Sequence, residues 1–124
     1  MIDRDLMRKK ITVVEDDPDI LFALTTILSN AGYEVTALHS GQVIMQGKHD
    51  YPDLFILDKR MPDMDGLDIC RFLKGNAASR DIPIIIISAS PKFDVLARQA
   101  GANGFLSKPF TMNALLDTVA RHLK

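Results

Sequence analysis

Residues 82–90 read IPIIIISAS, residues 52–58 read PDLFILD and residues 11–17 read ITVVEDD. Each holds a run of apolar or β-branched side chains that stops at Ser88, Asp58 or Glu15. None alternates apolar with polar residues. A strand with one face in water alternates, whereas a strand covered on both faces does not, and parallel sheets are covered on both faces. Two weaker runs, Glu34–Leu38 and Gly104–Leu106, complete a set of five strands. The first helix reads clearly: Asp17 as N-cap, Pro18 in the first turn, a stripe of Ile20, Ala23, Leu24, Ile27 and Ala31, and Gly32 as the stop. Residues 41–47, 67–74, 92–100 and 111–123 are the other helix candidates, each bordered by Gly, Pro, Ser or Asn. Strand and helix thus alternate five times, which predicts an α/β fold, (βα)5, built on a doubly wound parallel sheet. Ligands on such sheets sit beyond the carboxyl ends of the strands.

Composition bounds the rest. A chain of 124 residues with 47% hydrophobic and 25% charged content has the size of one domain over residues 1–124, with residues 1–9 as an optional leader. Fifteen basic against sixteen acidic side chains leave a formal charge of −1, so nothing global draws the chain to nucleic acid or an anionic membrane. Cys70 is the only cysteine, which rules out an internal disulfide and a cysteine-rich zinc site and fits a reducing, cytoplasmic setting. The opening MIDRDLMRKK lacks the apolar centre of a signal peptide, and the longest apolar run, Ile82–Ile87, is too short to span a bilayer.

Chemistry gathers at the strand ends. The first strand runs into Glu15, Asp16 and Asp17, the third ends at Asp58, the fourth at Ser88, and the fifth is followed by Lys108-Pro109. Carboxylates from neighbouring strands repel unless a proton or cation intervenes, and hard oxygen donors of this kind suit Mg²⁺. Asp17, before Pro18, reads as a helix cap. Glu15, Asp16 and Asp58 exceed what capping needs, because the turn-rich Met61–Gly66 follows Asp58 rather than a helix. Alone, Lys108 reads as a solvated lysine and Ser88 as a loop hydroxyl bonded to its own backbone. Together, a carboxylate nucleophile, a divalent cation, a hydroxyl and an ammonium are the parts that take up a phosphoryl group and neutralise its oxygens.

The ordered set Glu15-Asp16, Asp58, Ser88-Ala89 and Lys108-Pro109, within ITVVEDDPDI, PDLFILDKRMPDMDG, IPIIIISAS and AGANGFLSKPF, resembles the receiver domain of two-component response regulators over residues 9–123. That resemblance implies a flavodoxin-like, CheY-like fold with strand order 2-1-3-4-5. It implies that Asp58 is the phosphoacceptor for a histidine kinase or a histidine phosphotransfer protein. Mg²⁺ would be held by Glu15, Asp16, Asp58 and the backbone carbonyl of Arg60. Lys108 and Ser88 would bind phosphoryl oxygens, and Phe105 stands at the position of the family's switch aromatic, with a plain core aromatic as the other reading. The implied function is a signalling switch that catalyses only its own phosphorylation and dephosphorylation, acts on a downstream protein, contacts no nucleic acid directly, and exists as a monomer or weak dimer. It would be a stand-alone receiver or part of a longer regulator, and a phosphorylation-independent interaction module is the alternative. A flavin carrier of similar topology would want a Ser/Thr/Gly-rich loop where this chain has three acids, and Asp58-Lys59-Arg60 lacks the Asp-x-Asp of an aspartyl phosphatase.

Weaker signals leave alternatives. The segment from Ser88 to Gly101 is two residues shorter than in common receivers, so the loop or helix there should be shortened. Arg60 either tunes the lifetime of the phosphorylated state or forms a solvated basic pair with Lys59. Leu21 and Phe22 lie off the apolar stripe of the first helix and either dock the phosphodonor or, for Phe22, pack on the last helix. His39, His49 and His122 have no metal-ligand spacing and read as surface or loop residues, and Cys70 reads as a small buried hydrophobe.

Overall fold

The structure, a computed structural model, describes residues 8–47, 49–62 and 64–123. Five strands, β1 (Lys10–Val14), β2 (Glu34–Leu38), β3 (Leu54–Asp58), β4 (Ile84–Ser88) and β5 (Gly104–Ser107), form one parallel sheet in the order β2-β1-β3-β4-β5. Count and order are those expected. Helices α1 (Pro18–Asn30), α2 (Gln42–Met45), α3 (Gly66–Lys74) and α4 (Asp94–Gln99) fill the four crossovers, with a short 3₁₀ turn over Pro91–Phe93, and α5 (Met112–His122) follows β5.

The helices divide between the two faces, and so does the core. Leu24 and Leu28 of α1 and Leu115 and Val119 of α5 pack on Ile11, Val13, Ile56, Ile85 and Ile87. Ile44, Ile69, Leu73 and Ala97, from α2, α3 and α4, pack on Val14, Phe55, Leu57, Ile84 and Ile86. Strands β3 and β4 are buried at every residue, which is why their sequences are apolar throughout. Strand β2 is an exposed edge, and its sequence is correspondingly weak.

Local signals explain the ends. Asp17 caps α1 by accepting hydrogen bonds from the backbone N–H groups of Asp19 (2.9 Å) and Ile20 (3.2 Å). Gly32, at φ +101°, closes the helix: its N–H donates to Ser29 and that of Tyr33 to Leu28, the paired bonds of a glycine-stopped helix. Several boundaries differ from the expected ones, most by a single residue and three in substance. Helix α2 keeps four residues of the seven marked out, the stretch 92–100 divides into the 3₁₀ turn and a six-residue α4, and β5 runs on to Ser107. Sheet pairing also reaches Lys9, whose carbonyl accepts from Glu34 N–H at 2.9 Å. Residues 1–7 of the expected leader lie outside the described residues. Among the described residues no helix is long and apolar enough to cross a membrane.

Candidate functional site

Parallel register brings the expected residues to one edge. Val14 pairs with Leu57, Asp58 with Ile87 and Ser88 with Ser107, so Glu15, Asp58, Ser88 and Lys108 follow one another across neighbouring strand ends. Glu15 and Asp58 are buried, and Asp16 is the more exposed of the three acids. One oxygen from each of Glu15, Asp16 and Asp58 lies within 4.8 Å of the others. The Lys108 ammonium reaches in from β5 and sits 3.1 Å from Glu15 Oε1 and 3.4 Å from Asp58 Oδ1. Its backbone is held too, since Lys108 N–H donates to the Ser88 carbonyl at 2.7 Å.

The charges do not balance. One ammonium faces three carboxyl groups, and burial followed by the hydrogen bond and charge of Asp58 pushes Glu15 above the usual carboxyl range, with Lys108 offsetting only part. Burial and then the neighbouring Glu15 push Asp16 up as well. For Lys108, burial works against the charged form, but the hydrogen bond to Glu15 and the charge of Asp58 outweigh it and hold the ammonium above its ordinary value. A site short of positive charge, lined by hard oxygen donors at this spacing, fits a divalent cation of the Mg²⁺ kind.

The remaining residues hold Asp58 in place. Lys59 N–H donates to the Ile87 carbonyl (2.8 Å) and Arg60 N–H to Asp58 Oδ1 (3.4 Å), while the Arg60 side chain is exposed. Gly66 N–H returns to the Lys59 carbonyl at 2.8 Å, and a Cβ on Gly66 would collide with the Asp58 carbonyl oxygen. Ser88 is buried, but its hydroxyl turns onto Ser90, donating to its carbonyl (3.3 Å) and accepting from its N–H (3.2 Å). Phe105 lies half-buried on β5 against the layer under α3 and α4.

Outside this group the sequence reading needs one correction. Leu21 packs partly against the α1–α5 core, but Phe22 is 72% exposed, so it does not pack on the last helix. The thiol of Cys70 is fully buried and burial pushes it up to about 11, consistent with a small hydrophobe. His49 packs edge-on against Tyr51 and Phe55, and the ring nitrogens of His122 face the carbonyls of Thr118 (2.7 Å) and Asn103 (3.0 Å). Sequence reasoning noted Lys59 only as a basic neighbour of Asp58. Its partners are Asp65, six positions on, at 2.9 Å, and the Phe93 ring at 4.2 Å, which lies far along the chain where no local pattern links the two.

Comparison with known proteins agrees with this geometry. Residues 11–120 match the model of the response regulator receiver domain. The chain is 34% identical over 125 residues to the DNA-binding response regulator MtrA of Mycolicibacterium smegmatis, covering 97% of this chain and 53% of MtrA. It therefore spans about half the length of the curated relatives it matches. Among solved structures, the chemotaxis response regulator CheY4 of Vibrio cholerae superposes with a TM-score of 0.86 at 28% identity, over 94% of this chain and 99% of that one. The receiver domain of a sensor histidine kinase from Pseudomonas aeruginosa, solved with a magnesium ion in its active-site cleft, gives 0.84 at 29% identity over 94% and 98%.

Proposed function

The chain belongs to the response regulator receiver domain family, and from that premise we propose that Asp58 accepts a phosphoryl group from a phosphohistidine on a histidine kinase or phosphotransfer protein. One observation carries the reading: a buried Asp58 shares the Lys108 ammonium with Glu15, inside a cluster of three acids at the carboxyl edge of the sheet. In the transfer, a carboxylate oxygen of Asp58 bonds to phosphorus, the N–P bond of the donor breaks, and the imidazole leaves with the electron pair. Glu15, Asp16, Asp58 and the backbone carbonyl of Arg60 would hold Mg²⁺, which when bound supplies charge neutralisation for the phosphoryl oxygens. Lys108 is already placed beside Asp58 and neutralises one such oxygen. Ser88 bonds another once its hydroxyl leaves Ser90.

The consequence is a shift of population. Phosphate on Asp58 adds charge and acceptors that Ser88 and Lys108 follow, Phe105 repacks, and a downstream protein prefers the resulting surface of α4, β5 and α5. Residues 1–124, with 1–9 as a leader, act as a single receiver unit in the cytoplasm. Exposed Phe22, on the helix that borders the site, offers apolar contact to the donor. The test is intact mass after incubation with Mg²⁺ and a small phosphodonor. The parent should gain one phosphoryl group and Asp58→Asn none. A parent that stays unmodified while folded contradicts the reading and favours a phosphorylation-independent interaction module.

A further inference from the structure

We propose that Lys59 is a positioning residue for the chemistry at Asp58, its ammonium latching the loop that follows Ser88 through the aromatic face of Phe93. This rests on the phosphoacceptor reading above and adds a device that controls it. Lys59 follows Asp58 directly, but its side chain crosses to the neighbouring loop. Its Nζ lies 2.9 Å from Asp65 Oδ2 and 4.2 Å from the Phe93 ring centroid. The side chain is 18% exposed and its charge is shared with Asp65, so the attraction of cation for ring lies toward the modest end of its range.

The two ends of the latch are held by different contacts. Asp65 caps α3, its Oδ1 accepting from Leu67 N–H at 2.8 Å, and the backbone of Lys59 is tied to Ile87. Phe93 closes the 3₁₀ turn and donates its N–H to the Ser90 carbonyl at 3.3 Å. Ser90 in turn holds the Ser88 hydroxyl through both its carbonyl and its N–H. The contacts thus run from Lys59 through Phe93 and Ser90 to the hydroxyl that must move. Between the two loops lies a cavity of about 290 Å³ lined by Lys59, Arg60, Ser88, Ser90 and Phe93, which gives that loop room to rearrange. Lys92, 5.3 Å from the same ring, rides on the same turn as Phe93 and tethers nothing across the gap.

The latch stabilises the arrangement in which Ser88 faces Ser90. Releasing it favours the arrangement in which Ser88 faces a phosphoryl oxygen. A contact of this type is worth a factor of about two to five in such an equilibrium. The experiment measures the rate of Asp58 phosphorylation by a small phosphodonor with Mg²⁺, and the melting temperature, in the parent, Phe93→Leu, Phe93→Tyr, Lys59→Met and the Lys59→Met/Phe93→Leu double variant. Phe93→Leu should be about two- to fivefold faster, Phe93→Tyr should match the parent, and Phe93→Leu should add nothing in the Lys59→Met background. Phe93→Met, which keeps the bulk without the ring, replaces Phe93→Leu if that variant melts early. An unchanged or slower ring-free variant, or effects of the two substitutions that multiply independently, overturns the latch while leaving the phosphoacceptor reading intact. A folded parent that takes no phosphate overturns both.

Discussion

At Glu15 the arithmetic of protons and cations has a measurable sign. Burial and the nearby Asp58 raise its carboxyl above the ordinary 4.5, so the folded chain binds this proton more tightly than the unfolded chain does. From this group alone, stability rises as pH falls through the folded value and is complete at about the unfolded value of 4.5. Lys108, raised from 10.5, contributes stability that is present below that value and constant across this range. Mg²⁺ competes for the same oxygens. At about a hundredfold over its Kd a ligand of the native state stabilises by about 2.7 kcal/mol, roughly ten degrees in Tm for a chain of this size. We expect that shift near pH 8 and a smaller one near pH 4.5, read by thermal melts with and without Mg²⁺. A shift that is the same at both values contradicts the shared use of Glu15.

At the scale of elements, the strand ends are only as well placed as the turns that follow them. Gly66 opens α3 against the backbone of Asp58, and its N–H closes the turn onto Lys59. Alanine is otherwise the better helix residue, so Gly66→Ala isolates the effect of the collision with the Asp58 carbonyl. We expect a loss of about 1–3 kcal/mol in urea unfolding together with slower phosphorylation of Asp58; a stabilised variant with the parent's rate contradicts this. Elements were legible where one physical signal dominated. The aliphatic runs at Ile11, Leu54 and Ile84 marked buried strands because both faces are covered, and Asp17 with Gly32 marked the ends of α1 because caps are local. Helix α2 was overextended, since four residues held by Ile44 leave little periodicity to read. The stretch after Ser88 divided into a 3₁₀ turn and α4, because Pro91 opens it in a tighter coil and Phe93 turns to Lys59, a partner 34 positions earlier (93 − 59).

Across the whole molecule, the candidate site was legible because parallel topology converts strand-end residues into neighbours: Glu15 and Lys108, 93 positions apart, meet at 3.1 Å. Which way a side chain faces was less legible, as the exposed Phe22 shows. That exposure gives an expectation on the scale of the assembly: Phe22→Asp should leave phosphorylation by a small donor unchanged and slow transfer from a cognate phosphohistidine protein about tenfold or more, the loss of one buried aromatic contact. Equal transfer rates would remove α1 from the docking surface. The switch turns on the carboxylate of one residue. Borohydride reduction after phosphorylation converts an aspartyl phosphate to homoserine, which peptide mass mapping locates. Homoserine is expected at position 58 alone and only when Mg²⁺ was present; homoserine at Asp16 or Asp17, or at position 58 without Mg²⁺, contradicts Asp58 as the Mg²⁺-dependent phosphoacceptor.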